Sequence, residues 1–235
     1  MWKNYLKLII FAILRHVPGK LGTSSETRYY WALRKIRIAR GKGVIEHYLG
    51  QLGEGAICLD LGANIGDVTA LLLEHATTVY AFEPEPWAFS QLEARFADNK
   101  NVLLMNKAVG NANGEITFYR HPEFHDNKVG RSQATTMFRN PAWGDAEVES
   151  FVVKQVDICD VIAGIGKPID IIKMDIEGAE VDVLERLFDA PELSSVKTIL
   201  VETHEVQMPQ LRARTEAIRK HAKTLSGVRV FMDWH

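Results

Sequence analysis

Acidic and glycine residues lie together where the first apolar run of the chain ends. The run over residues 56–61 predicts a buried strand, and the pattern over 67–75 predicts a helix. With the turn between them, these residues form a strand–turn–helix unit. In open α/β sheets this turn is the usual site of a nucleotide-like ligand. Asp60 stands where a dinucleotide fingerprint has its first glycine, and a carboxylate there repels a pyrophosphate. The turn therefore favours S-adenosylmethionine, which joins adenosine to a positive charge and has no phosphate.

A second acid follows the next predicted strand. The β-rich run over residues 77–82 leads directly into Glu83, which lies 17 residues after Gly66. An acid at this place in an α/β site typically accepts both ribose hydroxyls. The alternative, a solvated strand end beside a tight turn, explains each residue singly but not their order and spacing. Glu83 is therefore predicted to bind ribose.

Two later predicted strands, over residues 169–174 and 197–202, also end in polar side chains. Lys173 and Asp175 are two residues apart and should share a face. His204 follows the next strand, so it should emerge at the same edge, where ligands gather in an open sheet. A lone histidine is more often a surface or hydrogen-bonded residue, but this position raises the prospect of a functional one.

The order of predicted elements fixes the fold class. Strands alternate with helices, which predicts a Rossmann-like α/β fold: a doubly wound, mostly parallel sheet with helices on both faces. A β-hairpin and loop insertion near 115–156 interrupts the alternation. The strands are predicted near 56–61, 77–82, 102–105, 169–174, 197–202 and 228–233, and the helices near 67–75, 87–97, 178–188 and 209–224.

Composition and charge suggest one soluble domain that carries a basic arm. The chain has 235 residues, of which 46% are hydrophobic and 25% charged, as expected of a globular protein. Its two cysteines form no C-x-x-C pair, which argues against a zinc site or a disulfide framework and suggests the reducing cytoplasm. We expect a helical arm over 1–43, with ten Lys/Arg and one acid, and a Rossmann-like domain over 44–235.

The arm has two interpretations. Its first apolar segment, over residues 8–14, is too short to span a bilayer, which needs about 20 residues. The favoured interpretation is a helix that docks on the domain. The other is an interfacial amphipathic anchor over 1–17, which would place the protein peripherally on an anionic membrane.

These motifs together resemble the FkbM family of S-adenosylmethionine-dependent methyltransferases, over roughly residues 44–205. The resemblance implies O-methylation of a hydroxyl on a sugar, glycolipid or natural product, so that the partner is a small-molecule or glycan acceptor and not a nucleic acid. Such domains normally close with an antiparallel hairpin, whereas the residues after 228 leave room for one strand. The motifs are Asp60-Leu61-Gly62-Ala63-Asn64-Ile65-Gly66, Phe82-Glu83-Pro84, Asn106-Lys107-Ala108-Val109-Gly110, Lys173-Met174-Asp175-Ile176-Glu177-Gly178-Ala179-Glu180 and Val201-Glu202-Thr203-His204.

The resemblance also implies roles for the cofactor-binding residues. Asp60 orders the glycine turn or binds the ammonium of the cofactor. Glu83 holds the ribose, and Asn106 borders the adenine. The residues placed in the turn, around the amino-acid tail of the cofactor, are Gly62, Ala63, Asn64 and Gly66.

On the acceptor side, Asp175 is expected near the methyl group, with Lys173, Glu177 and His204 around the hydroxyl. Asp175 and His204 are both candidates for the base. Glu180 is interpreted as an acid in the first turn of a helix, where it complements the dipole. The main expectation is that no metal is involved; in the alternative, a cation binds to Asp175, Glu202 and His204.

Two other functions compete with methyl transfer. A nicotinamide-dependent oxidoreductase would use the same sheet, but Asp60 replaces the first glycine that it needs. A non-catalytic S-adenosylmethionine-binding or membrane-docking module would not need acids at three strand ends. Neither the acceptor nor the oligomeric state follows from the sequence.

Overall fold

The computed structural model describes residues 30–32, 34–36, 43–132, 135–138, 143, 147–232 and 234. Within them a six-stranded sheet runs in the order β3-β2-β1-β7-β8-β9, and every neighbouring pair is parallel. A smaller sheet has the order β4-β6-β5. The strands are β1 (Ile57–Leu61), β2 (Thr78–Phe82), β3 (Val102–Met105), β4 (Ala108–Gly110), β5 (Gly114–Tyr119), β6 (Ser150–Asp157), β7 (Ile169–Met174), β8 (Val196–Val201) and β9 (Arg229–Met232).

Helices connect these strands, and two short 3-10 turns lie at Pro191–Ser195 and Pro209–Leu211. The helices are α1 (Val44–Leu49), α2 (Asp67–Leu73), α3 (Pro86–Phe96), α4 (Lys128–Ser132), α5 (Ile158–Ile165), α6 (Glu180–Phe188) and α7 (Arg212–Ala222).

The main sheet is buried on both faces, which explains why its central strands read as continuous apolar runs. All five residues of β1 are buried. Leu59 packs in one core cluster with Leu184 of α6, and its neighbour Cys58 packs in the opposite cluster with Leu72 of α2. This alternation follows from the period of two along a strand. The predicted doubly wound, mostly parallel sheet with helices on both faces is therefore confirmed.

The predicted insertion near 115–156 is present and larger than expected. Its hairpin is formed by β5 and β6, which pair antiparallel from Gly114 opposite Gln155 to Tyr119 opposite Ser150. The short strand β4 adds to β6 in parallel, so the insertion is a three-stranded sheet that begins at residue 108. A three-residue strand has too little sequence pattern to predict this pairing.

Helix α5 was not predicted. Its sequence, Ile158 to Ile165, is short, apolar and β-branched, and these properties also suit a strand. The local signal is Asp157, whose carboxylate accepts a hydrogen bond from the backbone N–H of Cys159 at 2.8 Å and caps the helix. The cap places the start of the helix directly after β6.

Of the predicted arm, residues 30–32, 34–36 and Gly43 belong to the described part, and the first two ranges are helical. Arg34 forms an ion pair with Glu202, directly after β8. The guanidinium of Arg212 lies 4.3 Å from the ring centre of Tyr30. The anchor proposed over 1–17 lies outside the described residues. None of the helices in the described ranges is both long and apolar enough to cross a membrane.

Candidate active site

A cleft of about 870 Å³ opens at the carboxyl ends of β1, β2 and β7. Strand order reverses between β1 and β7, since the chain builds the sheet outward from β1 in one direction and from β7 in the other. Such a switch point is where open α/β sheets bind ligands. The cleft is lined by residues from the glycine turn, the strand ends and the insertion, including Gly62, Ala63, Asn64, Glu83, Ser132, Thr135, Lys173, Asp175 and Glu177.

Gly62 is required by the close approach of the neighbouring strand end. Its φ is +78°, and a Cβ added there would lie 1.8 Å from the carbonyl oxygen of Asp175. Gly66 also has a positive φ, of +92°, and a Cβ there would meet Leu92 at 2.7 Å. No side chain fits either position without movement of its surroundings. Both glycines therefore hold the turn close to the sheet and to α3.

Asp60 lies beneath this turn and is fully buried. Its carboxylate accepts a hydrogen bond from Thr69 Oγ1 at 2.6 Å and lies 3.0 Å from Lys173 Nζ. The same ammonium donates to the carbonyl oxygen of Gly62 at 2.7 Å. Of the two predicted roles for Asp60, this geometry matches the ordering of the turn.

Lys173 is buried with Asp60 and contacts the turn. Burial alone lowers the pKa of Lys173, but the nearby carboxylates of Asp60 and Asp175 outweigh it and raise the pKa above its ordinary value. The side chain is therefore a charged support for the glycine turn. Its predicted place beside the acceptor hydroxyl stays a prediction.

Glu83 lies at the rim of the cleft and is buried. Its two carboxylate oxygens accept hydrogen bonds from the backbone N–H groups of Asn64 and Glu85, each at 2.7 Å. Burial raises the pKa of Glu83 to about 7, against the lowering effect of these two bonds. Each oxygen retains a lone pair, so the carboxylate can still accept a ribose hydroxyl.

Asn106 stabilises the backbone of this rim. Its side-chain amide donates to the carbonyl oxygens of Glu83 at 2.8 Å and Pro84 at 3.2 Å. The neighbouring residues Lys107 and Ala108 line the cleft. The structure thus brings Asn106 next to Glu83, while its contact with adenine stays a prediction.

The predicted acceptor-side residues Asp175, Glu177 and His204 come together at the other end of the cleft. His204 Nε2 lies 3.7 Å from Asp175 Oδ1 and 3.4 Å from Glu177 Oε2. The two acids line the cleft, whereas His204 is only 4% exposed and lies behind them. Glu177 has a left-handed backbone, with φ of 51°, which is unusual for a residue with a side chain. We call these three residues the acceptor cluster.

Glu180 is the member of this site that the sequence interpretation missed. It is 1% exposed, and its Oε1 accepts hydrogen bonds from the backbone N–H of His204 at 3.0 Å and from His204 Nδ1 at 3.1 Å. Burial alone lowers the pKa of His204, but Glu180 and Glu177 outweigh it and hold the pKa well above its ordinary value. These two acids therefore favour the charged imidazolium form of His204.

Glu202 does not join the acceptor cluster. It pairs with Arg34 instead, so the set Asp175, Glu202 and His204 suggested for a metal is not brought together. Glu177 occupies the third place, and one ligand atom from each member of the acceptor cluster lies within 4.8 Å of the others. Strand β8 ends at Val201, and beyond it the alternation of a strand no longer places side chains.

The lining of the cleft fits a cationic ligand better than a phosphate. Its carboxylates are Asp67, Glu83, Asp175 and Glu177, whereas Lys107 and Lys173 are its basic residues. The ammonium of Lys173 is already engaged with Asp60. An excess of negative charge attracts a sulfonium and an ammonium and repels a pyrophosphate.

Several known methyltransferases are similar to this chain. The chain is 30% identical to the hexuronic acid methyltransferase AglP of Haloferax volcanii over 172 residues, which are 72% of this chain and 65% of that protein. It is 29% identical to the 31-O-demethyl-FK506 methyltransferase FkbM of Streptomyces tacrolimicus, over 66% of this chain and 68% of that one. A solved methyltransferase FkbM from Methylobacillus flagellatus aligns with 92% of this chain and 52% of that chain, at 15% identity and a TM-score of 0.45.

The domain described as the methyltransferase FkbM domain matches residues 60–225, which include the glycine turn, the rim and the acceptor cluster. The chain spans 65% of the length of its hexuronic acid relative. The cofactor that goes with this domain is S-adenosylmethionine. The match covers well over half of the sequence, and the chain belongs to the family of methyltransferases with an FkbM domain.

Proposed function

We propose that this protein transfers the methyl group of S-adenosylmethionine to a hydroxyl of a sugar or natural-product acceptor. The observation that carries the proposal is the acceptor cluster, because the carboxylate of Asp175, whose Oδ1 lies 3.7 Å from His204 Nε2, lines a cleft suited to a sulfonium cofactor. Relatives named for methylation of a hexuronic acid and of 31-O-demethyl-FK506 support an oxygen acceptor.

The main contribution of the protein to catalysis is to position the reacting groups, because the bound cofactor supplies a methyl group that is already activated. Alignment of nucleophile and electrophile can contribute about 7–11 kcal/mol to catalysis. The glycine turn holds the amino-acid tail, and Glu83 accepts the ribose hydroxyls. Asn106 fixes the backbone of this rim through its two hydrogen bonds. The reacting groups then meet beside Asp175.

Asp175 is the base in this proposal. Its side chain lines the cleft and is 31% exposed, so the carboxylate can accept a proton from an acceptor hydroxyl bound there. His204 lies behind the wall of the cleft, and the surrounding acids favour its protonated form. A carboxylate is basic enough, because the attacking oxygen becomes strongly acidic as its bond to the methyl group forms. The imidazolium of His204 balances the charge of the surrounding acids.

The decisive experiment is an acceptor screen with a radiolabelled methyl donor and the full chain. Hexuronic acids, neutral sugars and macrolides with a free hydroxyl form the panel. Label should be transferred to oxygen of at least one acceptor, and Asp175→Asn should abolish most of the transfer. Label on nitrogen or carbon, or no binding of S-adenosylhomocysteine, would contradict the proposal. Activity that a chelator removes and Mg²⁺ restores would instead support a metal at the acceptor cluster.

A further inference from the structure

We infer that Glu180 is a positioning residue, which fixes the ring of His204 and through it the two acids that face the acceptor. The inference rests on the proposed function, since it assigns a task to the acceptor cluster. It begins from a buried carboxylate in the first turn of α6 that makes three hydrogen bonds inside the protein. A surface acid placed only for the helix dipole needs none of them.

The three bonds join two loops. Oε1 of Glu180 accepts from the backbone N–H and the Nδ1 of His204, at 3.0 and 3.1 Å, so it sets both the main chain and the rotation of the ring. Oε2 accepts from the backbone N–H of Gly178 at 2.8 Å, in the turn that holds Glu177 in its left-handed conformation. One side chain therefore ties the loop after β7 to the loop after β8.

The bond to Nδ1 also decides which way His204 presents its other nitrogen. A carboxylate only accepts hydrogen bonds, so Nδ1 carries a proton and Nε2 points toward Asp175 and Glu177. The ionisable groups that face the ring are Glu180 from α6 and the acids Asp175 and Glu177 from the loop after β7. A buried carboxylate that holds a histidine in this way is a recurring means of orienting a functional imidazole.

A glutamine cannot take over these contacts. The amide of Glu180→Gln has nearly the same shape, but one of its two ends is a donor. If its oxygen accepts from His204, its NH₂ group faces the N–H of Gly178, and two donors repel. If it is turned over, the donor faces Nδ1 instead. The substitution therefore tests orientation with little change in volume.

Asp182 offers a matched control on the same helix. It is also an acid in the first turn of α6, but its side chain is 27% exposed and pairs with Arg214 at 2.6 Å. A general contribution to the helix dipole would be lost equally in Glu180→Gln and Asp182→Asn. Of the two residues, Glu180 is the one that contacts His204, so an effect on the ring of His204 is expected in Glu180→Gln and not in Asp182→Asn.

The experiment compares the full-length wild type, Glu180→Gln and Asp182→Asn. We expect Glu180→Gln to keep its affinity for S-adenosylhomocysteine within about twofold and to lose about tenfold or more in kcat, with little change in the KM of the donor. The ¹⁵N resonances of the His204 ring should shift in this variant. Asp182→Asn should leave the kcat and these resonances unchanged. Glu180→Asp, which keeps the charge but is too short to join both loops, should also lose most of the kcat, whereas a full recovery of kcat would point to a charge effect alone.

Equal effects of the two variants, or unchanged kcat and ring resonances in Glu180→Gln, would overturn the inference. If Glu180→Gln does not fold, the ¹⁵N chemical shifts of the His204 ring are measured in the wild type. Shifts that show a protonated Nδ1 support the inference, and shifts that show an unprotonated Nδ1 overturn it. The ring resonances need no turnover. If the wild type binds S-adenosylhomocysteine but methylates no acceptor, that result therefore contradicts the proposed function alone. The role of Glu180 in orienting His204 can still be tested from the ring resonances.

Discussion

At the scale of single residues, the site depends on how each buried carboxylate is compensated. Asp60 has Lys173 and Thr69, Glu83 has two backbone N–H groups, and Glu180 has His204 and Gly178. A buried charge is tolerated only when it is paired or accepts several hydrogen bonds. Asp175 differs from these three, because its side chain is 31% exposed and its Oδ1 has only the ion pair with His204 Nε2 at 3.7 Å and no hydrogen bond among the described residues. In the proposed reaction this less compensated carboxylate accepts the proton.

The first prediction concerns Glu83 and the cofactor. Loss of the ribose contacts in Glu83→Ala should weaken the binding of S-adenosylhomocysteine by about tenfold or more, or about 1.4 kcal/mol. Calorimetry at pH 8 measures this, since the carboxylate is then ionised. Asp98→Asn, an exposed change outside the cleft, serves as the control. Equal affinity of Glu83→Ala and wild type would remove Glu83 from the site.

The pH dependence of Glu83 has a definite sign. Its pKa is raised from 4.5 to about 7 in the folded protein, so the native state binds the extra proton between these values. Its contribution to the free energy of unfolding is therefore largest at low pH and falls as the pH rises through this window. Affinity for the ribose should change in the opposite direction, because the ionised form is the better acceptor. Both dependences should flatten in Glu83→Gln.

A second prediction separates binding from chemistry. Asp175→Asn should bind S-adenosylhomocysteine within about twofold of wild type, yet lose about 10²-fold or more in kcat, because an amide is a poor base. His204→Ala should also lose activity, since it leaves the surrounding acids without their cation. Full activity of both variants on an identified acceptor would place the base elsewhere, in the region of residues 120–150.

Most residues of the site could be predicted from the sequence, but the contacts that their side chains make could not. Parallel strands bring their carboxyl ends together, and this alone placed Glu83, Asp175 and His204 around one cleft. The pairing of Glu202 with Arg34 could not be predicted, because it joins residues 168 positions apart. From the sequence alone, Glu180 is expected to be an acid that complements the helix dipole. Its burial and its contact with His204 depend on how the loop after β8 packs, which no local pattern indicates.

At the scale of elements, the turn between β1 and α2 is set by the neighbouring strand β7. Strand β2 contributes as well: the backbone N–H groups of Gly62 and Ala63 donate to the carbonyl oxygen of Phe82, the last residue of β2, at 3.0 and 2.9 Å. On the β7 side, the turn packs against the backbone of Asp175. The strands of the main sheet were predicted to within one residue at either end, because buried parallel strands are nearly continuous apolar runs. The hairpin of β5 and β6 was predicted from its strand-like runs, whereas helix α1 and the pairing of β4 with β6 required tertiary contacts that no local pattern carries.

A third prediction tests this turn. Gly62→Ala should destabilise the protein by about 1–3 kcal/mol or more and abolish cofactor binding, because its Cβ would overlap the carbonyl of Asp175 at a positive φ. Gly53→Ala is the control, since nothing lies within 4 Å of its added Cβ and no positive φ is required there. Thermal denaturation and calorimetry measure the two effects. A Gly62→Ala protein as stable as Gly53→Ala would show that the turn moves freely.

At the scale of the whole molecule, charge is distributed unevenly. Residues 1–43 carry ten Lys/Arg and one acid, or +9, and the remaining 18 Lys/Arg and 29 acids give the rest −11. Opposite charges favour a contact between the arm and the domain, and the ion pair of Arg34 with Glu202 is one such contact. This contact lies two residues before His204, so the arm reaches the acceptor side of the molecule.

The last prediction discriminates docking from anchoring for residues 1–17. If this segment were an interfacial anchor, Trp2, Leu6 and Ile10 would enter the headgroup region while Lys3 and Lys7 met anionic lipid, each basic residue adding about 1 kcal/mol. If it docks on the acidic domain, its charge is already neutralised. We expect docking, so the full chain should not sediment with anionic vesicles at low salt, where screening is weakest.

The matched comparison is a chain without residues 1–20. Docking predicts that this deletion lowers the melting temperature and leaves vesicle binding absent in both proteins. Vesicle binding that is strong in the full chain, lost on deletion and weakened by salt would instead support the anchor. An anchor would hold the enzyme at the membrane and so raise its local concentration near an acceptor that is a lipid-linked sugar. The vesicle experiment therefore also narrows the class of acceptor that the methyl-transfer screen should include.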